Sequence, residues 1–175
     1  MRLFRGRVEA ASHEILEALV KSDLIEVQLE QKEEVQKDIE SVMFEYIRIE
    51  REVTDRSKDI ASRQGLDFGA AQRIRRNLAK DKRIGVEDET LDYVVRQIIE
   101  MLESSRHVDE VFGEDHELNR IIAPVLRDQM ASPEDQLGQE IDRRMKHLKD
   151  SEGSIPWELE YKRIKADLQR LKKLD

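Results

Sequence analysis

The feature that most constrains the fold is a long run of apolar residues at helical spacing. Its positions, separated alternately by four and three residues with only Arg56 interrupting, are Val35, Ile39, Val42, Tyr46, Ile49, Val53, Arg56 and Ile60. This spacing keeps one apolar stripe on one face of a helix over about three and a half heptads. The run therefore predicts a long amphipathic helix that buries its stripe against neighbouring helices.

Composition favours the same fold class. Charged residues make up 40% of the 175 residues and aromatic residues only 5%, with seven glycines and three prolines. Such a profile is typical of long helices with solvated faces and leaves few residues suited to sheets and tight turns. A chain of this length fits one domain, or two small repeats that share a core.

What the sequence lacks narrows the class of protein. There is no cysteine, which excludes disulfides, thiolate nucleophiles and cysteine-ligated zinc. The N-terminal stretch MRLFRGRVEAASHEI lacks the apolar core of a secretion signal. No apolar run approaches the ~20 residues that span a bilayer. We therefore expect a soluble cytoplasmic protein with no membrane-spanning helix.

Shorter apolar patterns predict further helices. Gly65 is expected to end the long helix and Asp67 to cap the next one, which Phe68 should seal against the core. In the second half, Ser132 is expected to cap a new helix within ASPED, and Trp157 to seal the start of the last one. The predicted inward-facing positions are Val8, Ala11, Ile15 and Leu19; Phe68, Ala71, Ile74 and Leu78; Leu91, Val95, Ile98 and Leu102; Leu118, Ile122 and Val125; Leu137, Ile141, Met145 and Leu148; and Trp157, Ile164, Leu168 and Leu171.

The two halves of the chain look like one unit used twice. At a shift of 83 residues, the matching pairs include Ile15 and Ile98, Leu19 and Leu102, Val35 and Leu118, and Ile39 and Ile122. Later the shift grows to 88–90, which aligns Gly65 with Gly153 and Phe68 with Trp157. The pattern predicts an all-α protein of two tandem units, residues 1–86 and 87–175. Each unit would hold a short helix, a long helix and a basic helix, packed into an elongated bundle.

The stretch VFGEDHELNR, residues 111–120, is the foremost candidate for a metal or acid–base site. Its four potential ligands are Glu114, Asp115, His116 and Glu117. A zinc helix of the HExxH type needs a second histidine four residues after the first, but Arg120 stands there. Acids after Gly113 also fit the first turn of a helix, whose dipole favours them by about 0.3–1 kcal/mol each. We therefore predict a helix start and no metal site.

No other pattern supports catalysis or a cofactor. His13, His107 and His147 lie on separate predicted elements, with no serine in a recognisable nucleophile turn. The glycines of QGLDFGAA lack the Lys-Ser/Thr pair of a phosphate loop. With 39 acidic residues, chance pairing of carboxylates carries no weight. The sequence thus favours a non-enzymatic protein without catalytic, cofactor-binding or metal-binding residues.

Basic residues are concentrated in two runs of net charge +5, although the whole chain carries −8. The runs span residues 73–83 and 162–173, and Arg2, Arg5 and Arg7 form a third, smaller group. The candidate polyanion-binding residues are Arg73, Arg75, Arg76, Lys80, Lys82 and Arg83 in the first run, and Lys162, Arg163, Lys165, Arg170, Lys172 and Lys173 in the second.

Two interpretations of these runs compete. In the one we favour, the basic helices pair with the acid-rich long helices, and their stems cover apolar surface. In the other, they form a phosphate-binding surface for RNA, DNA or the ribosome. No aromatic residue interleaves with either run, so sequence-specific reading of single strands is not expected.

Several stretches also resemble a bacterial family known as domain of unknown function number five hundred and seven. The resemblance rests on MRLFRGRV, on EVFGEDHELNRIIAPVL and on the two endings RIRRNLAKDKRI and RIKADLQRLKKL, and it covers essentially the whole chain. It implies an intracellular bacterial protein that is largely helical. It implies no activity and no functional residues.

Three functional hypotheses follow. The leading one is a non-enzymatic cytoplasmic interaction or scaffold protein that binds protein partners through helical surfaces, and the long seam suggests self-association as a homo-oligomer. The alternative is a nucleic-acid- or ribosome-associated accessory protein that binds phosphate through residues 73–83 and 162–173. The third is a metal-dependent enzyme centred on Asp115, His116 and Glu117.

Overall fold

The all-α class is confirmed by a computed structural model, which describes residues 2–131, 141, 144–145 and 155–171. Its helices are α1 (Val8–Lys21), α2 (Lys32–Arg63), α3 (Phe68–Asp81), α4 (Thr90–Ser104), α5 (Asp115–Met130) and α6 (Ile155–Leu171). Short 3-10 turns span Arg5–Arg7, Leu29–Gln31 and Glu87–Glu89. Two strands of two residues each, β1 (Ile25–Glu26) and β2 (Glu110–Val111), pair antiparallel with Ile25 opposite Val111.

The chain divides into two compact units, Met1–Met130 and Ala131–Asp175. In the first unit, α1, α4, α5 and the N-terminal half of α2 enclose one apolar core. Ile15, Ile39, Ile98, Leu118 and Ile122 are all fully buried there. These residues are inward-facing positions of the predicted helices, so the periodicity identified this core correctly.

The long helix is also confirmed. Val35, Ile39, Tyr46 and Val53 are buried along α2, and Met43 widens the buried stripe. At 1.5 Å per residue, the 32 residues of α2 span about 48 Å, whereas the 14–16 residues of α1, α4 and α5 span about 21–24 Å. The second half of α2 therefore extends past the four-helix core. Among the described helices, α3 is the one that packs along this second half.

The turn between α2 and α3 follows the predicted local signals. Gly65 adopts a positive φ of 63°, and the Leu66 amide donates to the Ala61 carbonyl at 2.9 Å. This pattern ends a helix with glycine in the left-handed conformation. Asp67 then caps α3, because its Oδ1 accepts the Ala70 amide at 2.8 Å.

Phe68 contradicts the prediction that it seals the start of α3. Its side chain is 78% exposed. Phe68 is the first residue of α3 and directly follows the turn that begins after Arg63. Trp157, the residue aligned with it, is half-buried beside a small core in the second unit. The predicted seal is therefore wrong for Phe68, whereas Trp157 does pack against apolar neighbours.

The segment after α3 returns the chain to the four-helix core. Ile84 and Val86 are buried with Val53 and Ala79 in a small apolar cluster. A Cβ at Gly85 would overlap the carbonyl oxygen of Glu89, so a side chain there would force the loop to move. We call this segment, residues 82–89, the return loop. It packs the end of α3 against α2.

The second unit contains α6 and the described residues Ile141 and Met145. Both residues are buried with Ile164, and Trp157 and Tyr161 pack against them, their rings stacked at 5.3 Å. The predictions at Ser132, Leu137 and Leu148 lie outside the described residues, as do those on the side chains of Leu168 and Leu171. Among the described helices, none combines the length and apolar content needed to cross a bilayer.

The predicted duplication stays a prediction. The boundary between the compact units falls after Met130, so residues 87–130 belong to the same unit as residues 1–86. The repeat hypothesis instead divides the chain between residues 86 and 87. Four aligned pairs are nevertheless buried alike: Ile15 and Ile98, Leu19 and Leu102, Val35 and Leu118, and Ile39 and Ile122.

Candidate interaction surface

The second half of α2 and the whole of α3 form a helical hairpin, defined here as residues 49–83. It carries ten Lys and Arg against six Asp and Glu, a net charge of +4. The remainder of residues 1–130 carries eleven basic against 23 acidic side chains, a net charge of −12. The hairpin is therefore a basic extension of an acidic core, and such separation orients a protein in the field of a charged partner.

One cation of the hairpin is structural. Arg75 places Nη2 at 2.7 Å from Glu50 Oε1, and its Nε donates to Thr54 Oγ1 at 3.1 Å. The side chains of Arg75 and Glu50 are only 18% and 16% exposed, so water screens this pair weakly. The pair ties α3 to the first turn of α2 that lies within the hairpin.

Two further cations are paired at the hairpin's base. Arg76 lies 3.1 Å from Glu87, and Lys82 lies 2.8 Å from Glu52. The hydrogen bond from Lys82 holds the pKa of the Glu52 carboxyl below its usual range. With Arg75, half of the residues 73–83 run thus has acidic partners within the chain, as the pairing interpretation predicts.

The other half of this run is exposed. Arg73, Lys80 and Arg83 form no ion pair with any residue that the structure describes, and all three side chains face solvent. With Arg76 they are spaced by three, four and three residues. At 1.5 Å per residue, the members within α3, Arg73 to Lys80, cover about 10 Å, and Arg83 follows the end of the helix with a φ of 56°. We call Arg73, Arg76, Lys80 and Arg83 the cation row.

The second basic run lies in the other compact unit. Lys162, Arg163 and Lys165 are exposed on α6, with Arg163 3.8 Å from Glu160 and Lys165 5.9 Å from the Tyr161 ring centre. The side chain of Arg170, and all of Lys172 and Lys173, lie outside the described residues. The run from 162 to 173 is therefore described only in its first half.

The third basic group packs on the core. The Arg5 guanidinium lies 5.2 Å from the Phe44 ring centre, and Arg7 donates to the Gln129 carbonyl oxygen at 3.1 Å. Arg7 also lies over the Phe4 ring at 5.7 Å. These two arginines thus contribute to packing at the chain's N-terminal end.

The tip of the hairpin exposes apolar surface. Leu66 in the turn is 43% exposed and Phe68 at the start of α3 is 78% exposed. Both follow Gly65, so they stand together where the chain reverses. Periodicity places Phe68 on the inward side of α3 but carries no information about what packs against that first turn.

The acidic stretch at residues 114–117 is a helix start, as predicted. Asp115 and Glu117 occupy the first turn of α5, and Glu117 Oε2 accepts the Glu114 amide at 3.1 Å. His116 is an exposed side chain 3.3 Å from Glu114. Among the described residues, no group of three or more His, Asp and Glu side chains is arranged to hold a metal ion.

A cluster that sequence reasoning missed joins α2 to the loop after α4. Asp38 Oδ2 accepts from Ser105 Oγ at 2.9 Å and lies 2.9 Å from His107 Nδ1. Serine and histidine therefore bind the same carboxylate oxygen, whereas a nucleophile needs its hydroxyl on the imidazole. The cluster fixes a loop, and no spacing signal could reveal partners 67 and 69 residues apart. Of the other histidines, His13 is exposed and His147 lies outside the described residues.

Two open grooves flank α4. One, of about 540 Å³, runs beside α5 and is lined by Asp92, Arg96 and His116 among others. The other, of about 330 Å³, runs beside α2 and is lined mainly by apolar groups, including Val42 and Tyr93. Neither brings a nucleophile, a base and an oxyanion donor together in the way that acyl or phosphoryl transfer requires.

Comparison with known proteins places the chain in a family without assigning a role. No curated protein matches the sequence significantly. One family model, described as "Protein of unknown function (DUF507)", matches residues 1–174. Because the match spans almost the whole chain, the protein belongs to the DUF507 family, and the resemblance seen in the sequence is confirmed.

Proposed function

We propose that the protein is a non-enzymatic interaction protein of the cytoplasm that binds a macromolecular partner through the tip and outer face of the α2–α3 hairpin. The observation that carries the proposal is the exposed pair Leu66 and Phe68 at the end of a hairpin that extends past the core. Burying a phenylalanine side chain is worth about 1.5–3 kcal/mol. A partner that covers Phe68 at this tip would gain that free energy on binding.

Three sets of contacts hold the two helices of the hairpin in place. Gly65 and Asp67 close its turn, the Arg75–Glu50 pair joins its two helices, and Tyr46 binds the return loop that follows it. A preorganised element loses little conformational entropy on binding, so more of its contact energy appears as affinity. The rigidity supports a role in recognition.

The absence of a catalytic role is part of the proposal. The Asp38, Ser105 and His107 cluster has the residue types of a hydrolase, but both partners bind one carboxylate oxygen. Glu114 and Glu117 act at a helix start. In both places the polar atoms have structural partners, which supports recognition over catalysis.

Site-specific photocrosslinking in an extract of the native host tests the proposal. A benzophenone amino acid replaces Phe68 in one variant and Leu29 in the control. Both side chains are 78% exposed, and Leu29 lies in a short turn outside the hairpin. We expect a discrete adduct from position 68 and a much weaker one from position 29. Equal adducts from both positions, or none from position 68, would remove the proposal.

A further inference from the structure

We infer that the partner of the hairpin is a nucleic acid, and that the cation row contacts its sugar–phosphate backbone. This inference rests on the proposed function, since it takes the hairpin as the docking element and names what it docks onto. It assigns a ligand class to Arg73, Arg76, Lys80 and Arg83, and none to Arg75 or Lys82.

The cation row is available to a ligand. Arg73, Lys80 and Arg83 have no carboxylate partner in the described part of the chain, unlike Arg75 and Lys82. The Arg76 side chain is 56% exposed, and a solvent-exposed pair such as the one it makes with Glu87 is worth only about 0–1 kcal/mol. A phosphate group can therefore replace Glu87 at little cost.

The geometry of the row suits a phosphate backbone. Double-stranded DNA carries about one negative charge per 1.7 Å of axis, so even the stretch of about 10 Å from Arg73 to Lys80 meets several phosphates in any register. Three of the four cations are arginines, whose planar guanidinium binds phosphate through two parallel hydrogen bonds. Such contacts position a protein on a duplex without reading its sequence.

The exposed face of α3 is less suited to a lipid surface. After Phe68, its exposed residues are Gly69, Arg73, Arg76, Asn77, Lys80 and Asp81. A helix that lies in a bilayer interface needs a wide apolar face opposite its charges. Apart from Phe68, the apolar side chains of α3 are at least partly buried, and Leu78 and Ala79 pack with Val53 and the return loop, so α3 offers no wide apolar face for insertion.

Charge separation gives the contact a direction. The rest of residues 1–130 carries −12 and is repelled by a polyanion, whereas the hairpin carries +4 and is attracted. Approach with the hairpin first is therefore favoured at long range. The tip, with Phe68 at the start of α3, precedes the cation row along the same helix.

Salt-dependent binding of labelled RNA and DNA duplexes of about 20 base pairs tests the inference with the full chain. Three to four phosphate contacts predict a slope of log affinity against log salt near −2.7 to −3.6 on DNA. The affinity should accordingly fall about 40- to 150-fold between about 50 and about 200 mM salt. Binding to one duplex type alone identifies the source of the backbone and still supports the inference.

The variant Arg73→Gln/Lys80→Gln should make the slope less steep by about 1.8. Its matched control is Arg120→Gln/Arg127→Gln, which removes the same charge at the same spacing of seven residues from exposed positions on α5. The control should keep the wild-type slope. Because Lys162 and Lys165 are unchanged in every variant, the difference in slope reports the cation row alone.

Three outcomes would overturn the inference: no duplex binding at low salt, equal effects of the two double variants, or row-dependent binding to phosphatidylglycerol vesicles without duplex binding. If one of them occurs while position 68 still crosslinks a discrete protein, the proposed function stands and the nucleic acid is wrong. If duplexes bind and the crosslinked species disappears after nuclease treatment, both are supported.

Discussion

Tyr46 offers the sharpest quantitative test of how the hairpin is attached. Its hydroxyl donates to the Gly85 carbonyl at 3.1 Å and lies 2.9 Å from Thr90 Oγ1, joining α2 to the return loop and to α4. The side chain is only 5% exposed. Burial disfavours the phenolate and raises the pKa of Tyr46 from 10.0 to about 12.

The raised pKa determines over which pH range Tyr46 stabilises the folded protein and whether that stabilisation falls or grows with pH. Because the folded state holds the proton more tightly than the unfolded state, the stabilisation is fully present below pH 10 and is lost as the pH rises through 12. A separation of about two units corresponds to a total loss of about 2.7 kcal/mol, of which about 1.4 kcal/mol is lost by pH 11.

Substitution of Tyr46 by phenylalanine removes this pH dependence along with two hydrogen bonds. Near pH 7 the Tyr46→Phe variant should be less stable than the wild type by about 1–3 kcal/mol, because each of the two lost hydrogen bonds is worth about 0.5–1.5 kcal/mol net. By pH 11 the wild type has lost about 1.4 kcal/mol that the variant cannot lose. The difference between the two free energies of unfolding should therefore shrink by about 1.4 kcal/mol between pH 7 and pH 11.

Urea unfolding followed by circular dichroism, from pH 7 to pH 11, measures the difference directly. The control is Tyr93→Phe, because burial also raises the pKa of Tyr93 and its ring lies 5.8 Å from that of Tyr46. That variant retains Tyr46, so it should still lose stability at alkaline pH. A constant gap between wild type and Tyr46→Phe from pH 8 to pH 11 would refute the reasoning.

Three other predictions concern the hairpin and the core. Arg75→Met leaves the carboxylate of Glu50 largely buried without its cation, so the free energy of unfolding in urea should fall by about 1–3 kcal/mol. The control Lys82→Met breaks a more exposed pair and should lower it by less than about 1 kcal/mol, so equal losses would contradict this prediction. Gly65→Ala places a Cβ on a residue of positive φ and should destabilise by about 1–2 kcal/mol, whereas unchanged stability would contradict the glycine-ended turn. Light scattering at tens of micromolar should give the mass of a monomer, because the seam of α2 that suggested self-association is buried inside the first unit; a dimer mass would show that another surface associates.

Local signals in the sequence predicted the helices well. The four-and-three spacing from Val35 to Ile60 reports one buried stripe, and α2 has it. Gly65 and Asp67 act through their own backbone and nearest neighbours, so their roles can be inferred without knowing the fold. The helix start at residue 115 was predictable for the same reason.

Features that depend on distant residues were not predictable. Phe68 follows the apolar pattern of α3, but its exposure depends on what packs against the first turn of that helix, and the periodicity of α3 carries no information about that. The partners of Asp38 come from a loop 67 and 69 residues away. Arg75 pairs with Glu50 because the hairpin sets their register, 25 residues apart. Sequence spacing describes one helix at a time, whereas these contacts arise between helices.

The two interpretations of the run from residue 73 to 83 concern different residues of one helix. Arg75 and Lys82 are seven residues apart, two helical turns, and both reach carboxylates on α2. Arg73 and Lys80 are also seven residues apart, but their row is rotated away from α2, and their charges are not neutralised by the described part of the chain. Pairing on the inner row holds α3 in place without reducing the charge on the outer row. Two cations of the run, Arg75 and Lys82, thus hold α3 against α2, and the other four form the row for the phosphate contact that we propose.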